Sequence, residues 1–491
     1  NGNVSVTADS DDTAAGSGGA LTMADGATIN AGAGTITLAA DENVALGGLT
    51  TTNATATAVS ITSDNGSITD AGDTNVEITA STTGAVVTLV AKTDIGTVSG
   101  DAVLLDLGDT GYAGNPLETA IETIKLTTSS AGSDVSIDNT NAGGLAVTTL
   151  DAGGTANAGS AWIRNSAGLT VSGLTVNSTN YNGDGLGFIA TTGNLTVQNS
   201  ATALSVGSGG VLKLEALAGD VTTADSQNLS VTAQDFILKS ATSETVALTV
   251  TNVDAQITGT GNDLTLTQAT GDLVAKNFDG DGNKANTKDA SLYAAGGISV
   301  TTTNGAVSLK DGVMADAEAI TVTVGGAGKG LNVAPTTDVY SRAATGVTLN
   351  VTDGDVSIGT ADGRSVDLAT TGGNVAIDVT TPTAERAITF GDADTSDSVT
   401  ILAEGGFTVT NDGDGANANP GTIAVKSDAS ITGSLGNSGV NTGSLTLTGS
   451  VALDGSVSVE QTRTGSLTGK AADITIGGTS QANAGALTLS P

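Results

Sequence analysis

Gly354-Asp355-Val356-Ser357-Ile358 and Gly373-Asn374-Val375-Ala376-Ile377 carry the reading of the whole chain. In each, a glycine and a small or polar residue lead into apolar-polar-apolar alternation, the period-2 signature of a strand with one buried face. The cadence returns at Gly34-Thr35-Ile36-Thr37-Leu38, Gly193-Asn194-Leu195-Thr196-Val197, Gly305-Ala306-Val307-Ser308-Leu309, Gly443-Ser444-Leu445-Thr446-Leu447 and Gly485-Ala486-Leu487-Thr488-Leu489. The glycine is expected to supply a positive φ or a tight bend at strand entry.

First apolar positions fall at Val347, Val356, Val366 and Val375, at Ile298 and Val307, and at Leu195 and Leu204, in steps of nine or ten residues. Two or three such strands make a coil of about 20 residues, within the period range of solenoids. About 24 coils at about 4.8 Å each give a rod of order 120 Å. The predicted fold is all-β: a right-handed parallel β-helix running as one continuous shaft over residues 1–491. Ile36, Leu38, Val307, Leu309, Val356, Ile358, Val375, Ile377, Leu445 and Leu447 are expected to point inward, and Thr, Ser and Asn outward. Stacked β-sandwiches share the strand spacing, but aromatic residues, common in sandwich cores, are only 2% of this chain.

Insertions are expected near residues 114–124, 151–159, 277–289 and 411–421. The first reads as a short helical turn, with Asn115 as N-cap, Pro116 in the first helical position, and Leu117, Ile121 and Ile124 at helical spacing. Met314 to Glu318 is a weaker helical candidate. The others are rich in Gly, Asn and Asp.

Composition narrows function by exclusion. The 491 residues contain neither Cys nor His, which removes disulfides, thiol nucleophiles, imidazole or thiolate metal sites and any Ser-His-Asp triad. Sixteen Lys and Arg against 51 Asp and Glu give a formal charge of −35. That field opposes nucleic acid and anionic lipid and makes cations the natural partners. No apolar run approaches the 18 residues of a membrane helix, so no membrane insertion is expected. The chain begins at Asn1 without a basic, apolar leader, which reads as a processed product or an excised piece. Asn3-Val4-Ser5-Val6-Thr7 at one end and Leu487-Thr488-Leu489 at the other read as interrupted shaft. Self-association into a fibre, or continuation in a longer chain, is therefore expected.

Between Val59 and Asn139 four segments stand out: Asn65-Gly66-Ser67-Ile68-Thr69-Asp70-Ala71-Gly72; Val87-Thr88-Leu89-Val90-Ala91 with Ile95-Gly96; Gly114-Asn115-Pro116-Leu117-Glu118-Thr119-Ala120-Ile121-Glu122-Thr123-Ile124; and Asp134-Val135-Ser136-Ile137-Asp138-Asn139. This region resembles the filamentous-haemagglutinin type of two-partner-secretion protein, a family of large bacterial surface β-helices; the remaining coils share only its style. The resemblance implies an extracellular or cell-surface structural or adhesive component with host or matrix ligands. The family's N-terminal secretion domain with its Asn-Pro motifs is not visible near residue 1, nor are barrel strands at the C-terminus, so the sequence reads as shaft.

Asp279-Gly280-Asp281-Gly282-Asn283 offers oxygen ligands at alternate positions on a glycine-permitted bend, so Asp279, Asp281 and Asn283 are the candidate calcium ligands. A true EF-hand starting at Asp279 would need Glu at its twelfth position, where Ala290 stands with Asp289 beside it. Asp412-Gly413-Asp414-Gly415 and Asp392-Ala393-Asp394 with Asp397 are shorter versions. The plain alternative is a polar turn, which Asp and Gly favour on their own account. No cofactor is expected to be required, and calcium is the one candidate ion.

The competing functional class is a carbohydrate-active β-helix enzyme, a polysaccharide lyase or hydrolase working with paired carboxylates and a Lys or Arg. No such cleft is marked in the sequence, and the rings a sugar site uses, Trp162, Tyr112, Tyr181, Tyr293 and Tyr340, are scattered. Trp162 is expected to be a partly buried packing residue. The Thr rows that ice or crystal surfaces require are interrupted by Asn, Asp, Gly and Ala. The sequence thus points to a non-catalytic shaft.

Overall fold

The computed structural model describes residues 2–9, 18–72, 75–97, 115–152, 159–172, 185–197, 204–206, 209–278, 290–335, 337–342, 345–359, 365–370, 373–380, 383–384, 386–391, 397–403 and 406–411. Beyond 411 it describes the strand backbones 422–425, 429–435, 444–448, 450–453, 456–460, 474–477, 480–482 and 487–490. The chain divides into two compact units, Asn1–Thr242 and Ser243–Pro491. Among the described residues there is no helix, and the strands of each unit stack in parallel from coil to coil. The fold is an all-β parallel β-helix.

In the first unit, one face is built from nine strands starting at Val4, Ile36, Val59, Val86, Thr123, Leu145, Leu169, Leu195 and Val221. A second face runs through Ile78–Ala80, Leu117–Ile121, Val135–Asn139, Ala161–Asn165, Gly185–Ala190 and Val211–Ala216. In the second unit each coil presents three strands, as in Ile298–Thr302, Val307–Leu309 and Gly312–Ala315, each stacked on its counterpart in the next coil. Counted along the first face, a coil takes about 27 residues, longer than the about 20 inferred from strand spacing, because the corners between strands vary in length.

The interior is a set of aliphatic ladders. In the first unit Ile36, Val59, Val87, Ile124, Val147 and Val171 lie in register and are essentially unexposed. In the second, Leu264, Ile298, Ile320, Val347 and Val375 continue into Phe407, Leu445 and Ile474. Ile36, Leu38, Val307, Leu309, Val356, Ile358, Val375 and Ile377 all point inward as expected, each at most 1% exposed. Leu445 and Leu447 occupy the same registers, on strands described by their backbone alone. Each such side chain contributes roughly 1.5–3 kcal/mol of hydrophobic stabilisation.

At the corners, an Asx side chain repeatedly accepts an amide N–H from the following coil. Asn43 takes Ser67 (2.9 Å), Asp134 takes Ser160 (2.8 Å), Asn194 takes Asp220 (3.1 Å), Asp263 takes Gly297 (2.7 Å), Asp272 takes Ala306 (2.9 Å) and Asp355 takes Ala387 (2.9 Å). A bend interrupts the strand ladder, and these oxygens satisfy donors that it would otherwise strand. The glycines of the repeating motif work differently from expectation. Gly305 and Gly354 are absent from the positive-φ residues; instead, a Cβ at either would overlap the carbonyl oxygen of Gly271 or Lys329 in the preceding coil. Close coil-to-coil approach is what requires glycine there.

The helical turn expected at Asn115 to Ile124 is corrected: Leu117–Ile121 and Thr123–Thr128 are strands. Leu117, Thr119 and Ile121 face inward, and Leu117 pairs with Ile137 while Ile121 pairs with Ala80. The sequence fits both periods, and parallel neighbours on either side satisfy the backbone as ladder. Met314 likewise belongs to strand Gly312–Ala315, with the turn after it anchored by Ala317 and Glu318 N–H donating to the Gly296 carbonyl. Residues 98–114, 153–158, 279–289 and 412–421, which hold most of the expected insertions, lie outside the described residues.

Candidate functional site

Asp279, Asp281 and Asn283 lie outside the described residues, as do Asp392, Asp394, Asp412 and Asp414. What flanks the first loop is ordered by carboxylates: the Asn277 N–H donates to Asp311 (3.0 Å) and the Phe278 N–H to Asp254 (2.8 Å).

Among the described residues, one group of three carboxylates converges. Asp70 ends strand Ile68–Asp70, Glu77 immediately precedes Ile78–Ala80, and Glu118 sits in Leu117–Ile121; their oxygens lie within 4.8 Å of one another. Ladder register places them: Ile78 pairs with Thr119, so Glu77 falls beside Glu118, and the Glu77 N–H donates to the Glu118 carbonyl (2.9 Å). The Glu118 N–H also donates to Glu77 Oε2 (2.7 Å). Asp70 accepts from the Gly72 N–H (2.7 Å) and from Asn115 Nδ2 (3.1 Å).

Glu77 is 1% exposed, and a buried carboxylate this close to two half-buried ones does not ionise readily. Burial, the hydrogen bond to Glu118, and repulsion from Asp70 and Glu118 push the Glu77 carboxyl up to about 9. Burial also raises Glu118, against the lowering effect of its hydrogen bond with Glu77. A carboxyl raised this far favours a proton held between the two glutamates at neutral pH. The same oxygens are the hard-donor set that a calcium ion takes, so proton and cation would compete for them. One coil further on, Glu118 is in register with Asp138, and Asp138 with Arg164, which form a 3.2 Å ion pair.

The second unit shows the opposite arrangement. Asp353, 4% exposed, takes Arg386 Nε at 2.7 Å and the Thr383 hydroxyl. Burial pushes its carboxyl up, but hydrogen bonds from Arg386 and Thr383 and the guanidinium charge outweigh that and hold it below the usual carboxylate value.

Trp162 is more buried than expected, at 1% exposure. Tyr293 and Tyr340, scattered in sequence, share one outer column of the second unit, with Met314 between them. Neither this column nor the carboxylate group is visible without coil register. No family model, curated protein or solved structure matches the chain.

Proposed function

We propose that the chain is an extracellular structural or adhesive component, a β-helical shaft of a surface filament or large adhesin of the filamentous-haemagglutinin kind. The observation that carries this reading is the repetition itself: coil upon coil is held by the same inward ladder and the same corner hydrogen bonds, a construction that extends a surface. Charge supports it, since −35 on a ring-poor chain suits a soluble exterior protein. The carboxylate group supports it too, because Glu77, at 1% exposure, is poorly placed to meet a polymer substrate.

The test is immunogold electron microscopy of cells that express the full protein. Label along surface filaments is expected, and label confined to the cell interior would refute the reading. Reproducible cleavage of a polysaccharide, abolished by changing one carboxylate, would establish the enzyme in its place.

A further inference from the structure

We infer that the tyrosine column of the second unit is a binding ledge for a neutral polysaccharide, an assignment that rests on the adhesive reading and gives it a ligand class. The column is set by register. Gln256 pairs with Tyr293, Tyr293 with Met314, Met314 with Tyr340, and Tyr340 with Ala369. These positions alternate with the inward Leu292, Val313 and Val339, each unexposed, so the column projects outward.

Both tyrosines are half-buried, while Met314 between them is 5% exposed. Most other outer positions on these coils carry Ser, Thr, Asn or Asp, so two phenol rings on one column, packed about the buried Met314, form a local aromatic strip in a chain with 2% aromatics. The strip has a polar edge. Tyr293 donates its hydroxyl to Asp316 Oδ2 (2.8 Å), Arg342 Nη1 pairs with Asp316 Oδ1 (2.7 Å), and the Arg342 guanidinium lies 5.8 Å from the Tyr340 ring centre.

Apolar rings beside a few fixed donors and acceptors are what a sugar ring needs: its C–H face packs on an aromatic surface while its hydroxyls bond the rim. Two coils separate the tyrosines, roughly 10 Å at the usual inter-strand spacing, about the length of two linked hexose rings. Charge selects a neutral chain over an acidic one. Arg342 is already matched by Asp316, and the protein's charge of −35 repels polyanions, nucleic acid included.

The test is affinity electrophoresis of the full chain through native gels cast with hydroxyethylcellulose, xylan, galactomannan or laminarin, with hyaluronan as the acidic counterpart. At least one neutral polymer should slow the wild type. Tyr340→Ala should weaken that retardation about tenfold, the equivalent of ~1.4 kcal/mol. Tyr340→Phe, which keeps the ring and the fold, should retain it, and Tyr340→Trp should retain it with a change in fluorescence on binding. No retardation by any of the four neutral polymers, retardation by hyaluronan alone, or Tyr340→Phe losing as much as Tyr340→Ala would overturn the inference. None of these results alters where immunogold finds the protein, so the adhesive reading stands or falls separately.

Discussion

The corner at Glu77 in the first unit and the corner at Asp353 in the second bury carboxyl groups to nearly the same depth, 1% and 4% exposed, yet with opposite chemistry. At Glu77 the neighbours are Asp70 and Glu118, so neutrality comes from holding a proton. At Asp353 the neighbours are Arg386 and Thr383, so the group stays ionised and its charge is answered by a guanidinium. Burial alone therefore does not fix a carboxyl's state; the partner placed beside it by register does.

The largest effect expected from breaking this contrast is at the ion pair. Arg386→Ala leaves the Asp353 carboxylate buried without its cation, a loss of about 3 kcal/mol. Hydrogen exchange of the amides in Val347–Asp353 should accelerate roughly a hundredfold, and an unchanged rate would show that Thr383 suffices.

At Glu77 the effect is a pH slope. A carboxyl raised from 4.5 to about 9 on folding binds its proton more tightly in the folded state, so its contribution is complete below about 4.5 and is lost as pH rises toward about 9. The urea midpoint of the first unit, followed through its single, buried Trp162, should fall across that range. Glu77→Gln, which imitates the protonated form, should flatten the slope while matching the wild type near pH 5. A wild-type profile that is already flat would refute the shared proton. If millimolar calcium raises the wild-type midpoint at high pH and leaves that of the variant unchanged, the group takes a cation in place of the proton.

Asp353 should show the reverse. Its lowered pKa makes its contribution present above about pH 4 and lost as pH falls through the folded value, so protection of Val347–Asp353 should decline only on acidification, and Asp353→Asn should abolish that dependence. The smallest effect is expected at Lys329 and Asp272, a 3.0 Å pair whose side chains are 34% and 62% exposed. Lys329→Ala should cost less than about 0.5 kcal/mol by chemical denaturation, since solvent screens the pair; its amide partner Ala306 still holds Asp272.

Much of the fold was legible because a period-2 ladder writes itself into local sequence: Val356 and Ile358, or Ile36 and Leu38, announce their buried faces without help from distant residues. Asn115 to Ile124 misled because Leu117 and Ile121 satisfy helical and strand spacing together, and only the neighbouring coils at Ile78–Ala80 and Val135–Asn139 decide between them. Coil length was underestimated because the corners follow no period. That same irregularity hid the sites: Glu118 lies far along the chain from Asp70, and Tyr340 from Tyr293, so no motif joins either pair until the loops between them are counted out in space.

The corner hydrogen bonds have a direction, with the Asx oxygen in the earlier coil and the amide in the later one. Strand hydrogen bonds between coils run the same way, along the stacking axis and not across it. Tension applied along that axis within a unit pulls directly on these bonds, and an end coil, held by one boundary where an inner coil is held by two, would open first. Each release would free one coil of about 27 residues, or roughly 90 Å of chain. Under load such a unit would act as an extensible tether, giving length in discrete increments and re-forming coil by coil when the force is withdrawn.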